Sequence, residues 1–409
     1  MMDNITHALQ GIKVLDLTRV LGGPYATQIL ADHGAEVIKV EPADGDEVRY
    51  WGPPFNDGIA AYFINLNRNK KSISIDLRRK QGQDIIFKLL AESDILIENF
   101  KTGTMENWGL GFDDVLSKKF PKLIHCRITG FGADGPLGGY PGYDVIIQAM
   151  SGMMSVNGMP GSGTVRMGAP IVDMGTGLYS TIGILMALQE RHLSGLGQFI
   201  DMTLYDSAIA LTHPHTANFL LSGVPGSATG NDHPNISPYG KYKTATNEIV
   251  IMIGNNKGFT KLCNELGLLE LPTNPKFRNN ADRVKNRAEL NKLINQALKD
   301  VDGSEFSEKL LAAGVPAGPI RNIKEALNHQ HTNHRNMKTS HNNYEGISSP
   351  IKFSRSKPSG VHTIPPFIGQ HTRGILESIG YDQISIEDMI SKVWSVKQKK
   401  RIIILNINI

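Results

Sequence analysis

The fold is decided by Gly11-Ile12-Lys13-Val14-Leu15-Asp16-Leu17, followed by Gly22-Gly23-Pro24 and then by Glu36-Val37-Ile38-Lys39-Val40. The run over 12–17 is the kind of apolar run expected of a buried strand, and 36–40 predicts a second one. Residues 25–33 predict a helix between them. Its first turn tolerates the preceding proline, and Gly34 is a typical stop. A strand–helix–strand unit of this kind predicts parallel strands joined by a right-handed crossover.

The same alternation of strands and helices continues beyond this unit. Strands are predicted over 72–75, 94–97, 123–128 and 198–203, with helices over 80–91, 174–191 and 206–221. The fold class is therefore α/β, with a large Rossmann-like domain around a parallel sheet. After a Gly-, Pro- and Asn-rich stretch, a hairpin over 241–253 and several helices predict a smaller α+β domain. We expect the large domain to comprise 1–222 and 326–395, the small domain 223–325, and a terminal tail 396–409.

The composition excludes several classes of protein. The chain has 409 residues, 40% hydrophobic and 20% charged, with a net charge of +4, so neither a disordered chain nor a nucleic-acid partner is expected. Two cysteines cannot form a disulfide framework, which favours a reducing compartment. No leader is apparent, and the apolar runs are shorter than the ~20 residues that span a bilayer. We expect a cytoplasmic protein with no membrane partner.

The turn after the first strand argues against a nicotinamide cofactor. The unit resembles a dinucleotide-binding fingerprint, since its second strand ends at Glu41. The turn itself, however, is Arg19-Val20-Leu21-Gly22-Gly23-Pro24, and it lacks the G-x-G-x-x-G spacing that lets the backbone approach a pyrophosphate. The topology is therefore expected without nicotinamide binding.

Asp173 is the candidate nucleophile. It precedes the long predicted helix, and Gly175 and Gly177 follow it, leaving room for a ligand. A helix N-terminus favours a negative charge, so we expect this carboxylate to be ionised near neutral pH. An accessible ionised carboxylate is able to act as a covalent nucleophile. The alternative is an ordinary N-cap aspartate, which is common in proteins.

Motifs along nearly the whole chain resemble those of the class III CoA-transferases, the family of formyl-CoA transferase and carnitine CoA-transferase. They include Gly34 to Pro42, Asn67 to Ile73, Glu98-Asn99-Phe100, Gly142-Tyr143-Asp144 and Gly369-Gln370-His371-Thr372. The chain is most similar to members that act on dicarboxylic acids such as succinate and glutarate. The resemblance implies transfer of CoA from a donor such as succinyl-CoA to an acceptor such as glutarate. It also implies a homodimer of two interlocked chains, and no cofactor other than CoA as a substrate.

The resemblance places the nucleophile at Asp173, which would form first a mixed anhydride and then an aspartyl-CoA thioester. It also implies a set of CoA-contacting positions, in which Asn107 stands where some members have arginine. We expect about half of the set to touch CoA, the others being turn or cap residues. The set comprises Val20, Leu21, Gly22, Asp76, Arg78, Asn99, Phe100, Asn107 and Tyr143.

Two other functions stay open. The related acyl-CoA racemases carry histidine where this chain has Tyr143, and that histidine shares proton transfer with the aspartate. Because tyrosine titrates near ~10, Tyr143 favours transfer over racemisation. The second alternative is a non-catalytic CoA-binding protein. It is suggested by the unusual tail and by a segment between Asn336 and Phe353 that looks too short for the hairpin expected there.

Basic side chains are candidates to bind the far carboxylate of a dicarboxylic substrate. Arg49, Arg68 and Arg166 are named because a guanidinium pairs with a carboxylate through two hydrogen bonds, the alternative for each being a surface ion pair. A further cluster, His329, His331, His334 and His341, lacks the spacing and partner ligands of a metal site, so no metal is expected.

Overall fold

The computed structural model describes residues 7–356, 360–361 and 363–390. The predicted tail 396–409 lies outside the described residues. In chain order the strands are β1 (Lys13–Asp16), β2 (Glu36–Glu41), β3 (Phe55–Asn56), β4 (Ile59–Ala60), β5 (Lys70–Ser74), β6 (Ile95–Glu98), β7 (Ile124–Thr129), β8 (Phe199–Thr203), β9 (Tyr239–Lys243), β10 (Glu248–Met252), β11 (Ala317–Pro319), β12 (Lys338–His341) and β13 (Tyr344–Ile347).

The helices alternate with these strands. They are α1 (Gly22–Asp32), α2 (Ala61–Ile64), α3 (Lys80–Leu90), α4 (Thr104–Asn107), α5 (Ser117–Lys119), α6 (Asp144–Met150), α7 (Ile171–Ser194), α8 (Leu204–Leu211), α9 (His215–Ser222), α10 (Asn256–Leu266), α11 (Asn280–Lys285), α12 (Arg287–Leu298), α13 (Gly303–Ala312), α14 (Ile323–Asn328), α15 (Gln330–His334) and α16 (Thr372–Ser378). A last helix covers 383–390.

The described chain divides into two compact units. The larger comprises residues up to 152, 168–213 and those from 334 onward, and the smaller comprises 153–167 and 214–333. The smaller unit thus starts and ends at different positions from the predicted 223–325, and it includes a segment that precedes α7.

A six-stranded parallel sheet with the order β5-β2-β1-β6-β7-β8 forms the centre of the larger unit. Each neighbouring pair is parallel, as in Val14 opposite Val37 and opposite Ile95. The predicted α/β fold with a Rossmann-like parallel sheet is confirmed. Because the strand order reverses direction at β1, a crevice is expected between the carboxyl ends of β1 and β6, where open α/β sheets bind their ligands.

Charged side chains are buried beneath this crevice. Lys70 pairs with Asp16 at 3.1 Å, and Lys39 pairs with Asp46 at 3.0 Å, all four side chains being fully buried. Burial opposes ionisation of Asp16, but Lys70 and Lys39 outweigh it and lower its pKa to about 2. The charges at the carboxyl ends of β1 and β2 are therefore compensated inside the protein.

The long helix α7 lies against the sheet and against α1. By length and composition it is apolar enough to cross a membrane, and it is the one such helix in the part of the chain that the structure describes. Of its most apolar stretch, 44% is buried within the protein. Burial of this kind is also found in the core helices of proteins that do not enter a membrane.

The smaller unit has an antiparallel sheet of order β11-β10-β9 packed against helices. Its core includes Tyr242, Ile251, Phe259 and Leu290. The predicted hairpin corresponds to β9 and β10. Tyr239 lies opposite Met252 at one end of the pair, and Lys243 lies opposite Glu248 at the other.

Two local predictions were wrong. The helix predicted over 206–221 is two helices, α8 and α9, with Pro214 between them, because proline cannot continue a helix from the preceding turn. The segment between Asn336 and Phe353 looked too short for a hairpin, but it forms one from β12 and β13. Lys338 lies opposite Ile347, and His341 lies opposite Tyr344. The alternation in this segment is masked by its polar composition.

Candidate active site

A cleft of about 260 Å³ opens in the larger unit where the strand order reverses. Its walls are the segments that follow β1, β6 and β7, together with the start of α7. The lining residues are Arg19 to Gly23, Glu47, Asn99 to Thr102, Ile128 to Gly130, Gly139 to Tyr143, Asp173 and Leu204. The crevice expected from the strand order therefore contains the candidate nucleophile.

Asp173 lies in the first turn of α7 but does not cap it. The N-cap residue is Pro170, which supplies no side-chain hydrogen bond. The cap comes from α6: Asp144 Oδ1 accepts from the backbone N–H of Val172 at 2.8 Å and of Asp173 at 3.2 Å. Gln148 Nε2 donates to the other oxygen of Asp144 at 2.6 Å. The N-cap alternative for Asp173 is therefore wrong, and its carboxylate accepts no hydrogen bond from the described residues.

The environment of Asp173 opposes its negative charge. Burial, followed by the charge of Asp144, raises its pKa from 3.8 to about 7. The carboxylate was expected to be ionised near neutral pH. The loss of water and the neighbouring carboxylate outweigh the favourable helix end and bring its pKa into the neutral range.

The two glycines after Asp173 serve helix packing. A Cβ on Gly177 would lie 2.6 Å from the carbonyl oxygen of Gly22, and one on Gly175 would lie 2.3 Å from the Leu211 side chain. A Cβ on Gly22 would lie 3.1 Å from the backbone oxygen of Asp173. The expectation that Gly175 and Gly177 make room for a ligand was thus wrong. They let α7 approach α1 and α8, and this places Asp173 beside the turn after β1.

That turn is held by buried side chains. Val20 has a φ of 69°, a left-handed conformation that is unfavourable for a β-branched residue. Its N–H donates to Asp46 Oδ1 at 3.2 Å, and Lys39 Nζ donates to the carbonyl oxygen of Thr18 at 2.7 Å. The buried Lys39–Asp46 pair therefore fixes both sides of Arg19 and stabilises the unfavourable backbone.

The structure brings six of the nine predicted CoA-contacting residues into the cleft: Val20, Leu21, Gly22, Asn99, Phe100 and Tyr143. Leu21 is buried and Tyr143 is 53% exposed. The other three are outside the cleft lining. Asp76 and Arg78 form an ion pair with a 2.8 Å contact, and Asn107 is exposed at the end of α4.

None of the three arginines predicted to bind substrate lines the cleft. Arg49 and Arg68 are buried, the first paired with Glu41 at 2.7 Å and the second with Asp32 through two hydrogen bonds. Both bind internal carboxylates, so the ion-pair alternative is correct for them, inside the protein and not on its surface. Arg166 is exposed in the smaller unit and donates to the carbonyl oxygen of Met167 at 3.1 Å.

Sequence reasoning missed four residues near Asp173. Arg19, Glu47 and Lys101 line the cleft. Tyr62 lies within electrostatic reach, since burial and the charge of Asp173 raise its pKa to about 12. The sequence could have indicated Arg19, because it adjoins the turn predicted to contact CoA. It could not have indicated Tyr62, which lies between β4 and β5 and approaches Asp173 only in the folded chain.

Among residues 7–356, 360–361 and 363–390, no group of three or more His, Cys, Asp or Glu side chains is arranged to hold a metal ion. The cluster of His329, His331, His334 and His341 lies in or near α15 and β12.

Comparison with known proteins agrees with this geometry. The profile of CoA-transferase family III matches residues 9–372. Succinyl-CoA:glutarate CoA-transferase from Mus musculus is 39% identical over 93% of this chain and 89% of its own length. Succinate–glutarate CoA-transferase from Agrobacterium fabrum is 37% identical over 92% of this chain and 97% of its own length.

Solved structures give the same result. A CaiB/BaiF family protein from Brucella suis superposes with a TM-score of 0.81 at 38% identity, covering 91% of this chain and 100% of that one. A hypothetical protein from Mycobacterium tuberculosis has a TM-score of 0.81 at 30% identity, with the same coverage. A family profile that spans most of the chain, relatives of this identity and a shared fold lead to one assignment: the chain belongs to CoA-transferase family III and is an enzyme that transfers coenzyme A between acids.

Proposed function

We propose that this enzyme transfers CoA from a dicarboxylyl-CoA such as succinyl-CoA to a dicarboxylate such as glutarate, with Asp173 as the covalent nucleophile. The observation that carries the proposal is the Asp173 carboxylate, which lines the cleft and accepts no hydrogen bond from the described residues. The relatives named above, which act on succinate and glutarate, support the choice of acids.

The proposed cycle consists of four acyl transfers. The Asp173 carboxylate attacks the donor thioester carbonyl, forming a mixed anhydride and releasing CoA thiolate. The thiolate attacks the aspartyl carbonyl, giving an aspartyl-CoA thioester and the donor carboxylate. The acceptor carboxylate attacks that thioester, and the thiolate released attacks the acceptor carbonyl of the second anhydride. Acceptor-CoA leaves and Asp173 is regenerated, so no bond is lost to hydrolysis.

Partial burial of Asp173 suits this chemistry. A carboxylate deprived of water is more reactive than a hydrated one, and limited water protects the anhydrides. The cost is that protonation competes with nucleophilic attack near neutral pH, because the pKa of Asp173 is raised to about 7. Transfer is therefore expected to gain in rate as the pH rises through 7.

The cleft accommodates the reacting end of an acyl-CoA. Its volume of about 260 Å³ is below the ~300–1,000 Å³ of pockets that enclose a drug-sized ligand. We infer that the acyl group and adjoining pantetheine enter between the turn at Val20–Gly22 and Asn99–Phe100, with Tyr143 on the opposite wall. Arg78 and Asn107 are exposed and Asp76 is half-buried, all three outside the cleft, and for them a contact with the nucleotide of CoA is still a prediction.

The racemase alternative has one observation in its favour, because a carboxyl with a pKa of about 7 is suited to proton exchange. A racemase also needs a second group that titrates near neutrality. Within the described residues no histidine lines the cleft. Exchange of deuterium into the α-carbon of a 2-methylacyl-CoA would support the racemase, and its absence during active transfer would support the transferase.

We also propose that the enzyme is a homodimer in a cytoplasmic compartment. Exposed apolar side chains follow one another along α7, among them Leu185 at 43%, Met186 at 67% and Leu193 at 79%. Exposed apolar side chains grouped along one helix are typical of a covered interface. Light scattering at micromolar concentration should give twice 44.8 kDa, whereas a folded monomer would contradict the dimer.

Both cysteines are free and buried, which is consistent with a reducing compartment.

The covalent step is tested by trapping the activated aspartyl carbonyl. The enzyme is incubated with succinyl-CoA and then with hydroxylamine, and the resulting hydroxamate is located by peptide mass mapping. The label is expected on Asp173 and absent in Asp173→Asn, which should lose transfer but retain CoA binding. A label on Asp144 or Asp201, or wild-type turnover in Asp173→Asn, would refute the mechanism. Asp201→Asn is the control, since Asp201 pairs with Arg127 and does not line the cleft.

A further inference from the structure

Two cationic side chains line the cleft within the described residues, Arg19 and Lys101. The buried arginines of this unit, Arg49 and Arg68, are occupied by internal carboxylates. Arg19 differs from them, because its guanidinium forms no ion pair or hydrogen bond with the residues that the structure describes. Its nearest ring contact is with Phe100, 5.8 Å from the ring centre. We propose that Arg19 binds the far carboxylate of the dicarboxylic substrate, an inference that rests on the proposed function.

The backbone around Arg19 is held in place from two sides. Asn99 accepts from the Arg19 N–H at 2.9 Å and donates to the Arg19 carbonyl oxygen at 2.7 Å. On the other side, Lys39 holds the carbonyl of Thr18 and Asp46 holds the N–H of Val20. Four hydrogen bonds from three side chains therefore fix residues 18–20. Such preorganisation is typical of a residue that must present its side chain at a defined position.

This position is close to Asp173 in space. A Cβ on Gly22 would lie 3.1 Å from the backbone oxygen of Asp173. Arg19 is three residues before Gly22, so the Cα atoms of Arg19 and Gly22 are at most roughly 11 Å apart. An arginine side chain on that segment can reach a carboxylate at the far end of a short acyl group whose thioester carbonyl is at Asp173. The guanidinium would bind both oxygens of that carboxylate.

Lys101 is the weaker candidate. The backbone hydrogen bond recorded at Lys101 is from Thr104 N–H to its carbonyl oxygen, at 3.0 Å, so its position is less constrained than that of Arg19. An ammonium also lacks the planar fork that matches a carboxylate.

A phosphate of CoA is the competing ligand for Arg19, because it is also an anion. A dicarboxylyl donor and its monocarboxylyl counterpart carry the same phosphates, so comparing them separates the two.

The experiment measures kcat/KM for succinyl-CoA and for butyryl-CoA in the full-length enzyme. In Arg19→Gln, the value for succinyl-CoA is expected to fall roughly 10- to 100-fold while that for butyryl-CoA changes less than about threefold. Arg19→Lys, which keeps the charge, should recover part of the loss. Arg278→Gln, an exposed arginine of the smaller unit, is the control and should leave both values unchanged.

Three outcomes would overturn the inference. An equal loss for both donors would assign Arg19 to a phosphate of CoA. No loss for either would remove it from substrate binding. A selective loss in Lys101→Gln and not in Arg19→Gln would give the role to Lys101. The inference and the proposed function fail separately: a wild type that uses butyryl-CoA as well as succinyl-CoA contradicts the choice of acids, whereas an unchanged preference for succinyl-CoA in Arg19→Gln contradicts only the role of Arg19.

Discussion

Replacing Asp173 with asparagine is expected to stabilise the protein at pH 8 while it abolishes transfer. Burial and the charge of Asp144 raise the pKa of Asp173 from 3.8 to about 7 in the folded chain. Between these values the folded state holds the proton more tightly than the unfolded state, so the free energy of unfolding decreases as the pH rises. The penalty is complete above pH 7 and disappears below about pH 4. Asparagine resembles the neutral acid and carries no such penalty.

The size of the effect follows from the shift. A difference of about three pKa units corresponds to about 4 kcal/mol of unfolding free energy at high pH. The side chain keeps some access to water, so we expect ~2–4 kcal/mol for the substitution. For a chain of 409 residues the entropy of unfolding implies a rise of roughly 1 °C in Tm per kcal/mol.

The assay is thermal unfolding of wild type and Asp173→Asn at pH 8, 6 and 5. The Tm of the variant should exceed that of wild type by about 2–5 °C at pH 8, and the difference should shrink as the pH falls. Asp206→Asn is the matched control, because Asp206 is exposed in the first turn of α8. It should give no comparable pH-dependent gain. A variant less stable than wild type at pH 8, or a gain that does not depend on pH, would refute the assignment of a desolvated carboxylate.

Three further predictions concern the surroundings of Asp173. Asp144→Asn keeps the oxygen that caps α7 but removes the charge, so the pH at which kcat/KM is half-maximal should fall from about 7; an unchanged profile would exclude Asp144 as a cause of the raised pKa. In Gly177→Ala the added Cβ would lie 2.6 Å from the carbonyl oxygen of Gly22, so we expect the free energy of unfolding, measured by denaturation, to fall by ~1–3 kcal/mol and kcat to fall with it. A variant with the stability and activity of wild type would contradict the close approach of α1 and α7. Arg68→Met leaves Asp32 buried without its main partner and should lower the free energy of unfolding by ~3–5 kcal/mol, without changing the ratio of the rates with succinyl-CoA and butyryl-CoA. A changed ratio would indicate that Arg68 contacts the substrate.

The elements of the larger unit were predictable because local signals and tertiary structure agree there. The apolar run before Asp16 gives β1, and Pro24 and Gly34 stand near the start and end of α1, as the structure shows. The parallel sheet also followed from the alternation of strands and helices, whereas the position of the crevice required the strand order of the structure. Pro214 was overlooked as a break within a long predicted helix.

The site was less predictable, because its properties depend on contacts between distant residues. The raised pKa of Asp173 requires Asp144 and burial, and neither is visible in the local motif. Arg49 and Arg68 were selected by residue type, yet sequence alone does not show that Glu41 and Asp32 occupy them. Type and spacing therefore select the candidate nucleophile, whereas only the fold shows which arginines form internal ion pairs and which line the cleft.

The contact between α1 and α7 separates the position of Asp173 from the choice of substrate, two properties that often change together in enzymes. A Cβ on Gly177 would lie 2.6 Å from the carbonyl oxygen of Gly22, so the close approach of α1 and α7 beside Asp173 depends on glycine. Arg19, Glu47 and Lys101, which also line the cleft, lie outside α1 and α7. Under the proposed function, substitutions at those three positions are expected to alter which acid is accepted without moving Asp173. This arrangement allows a lineage of such enzymes to diversify in substrate while it retains one chemical mechanism.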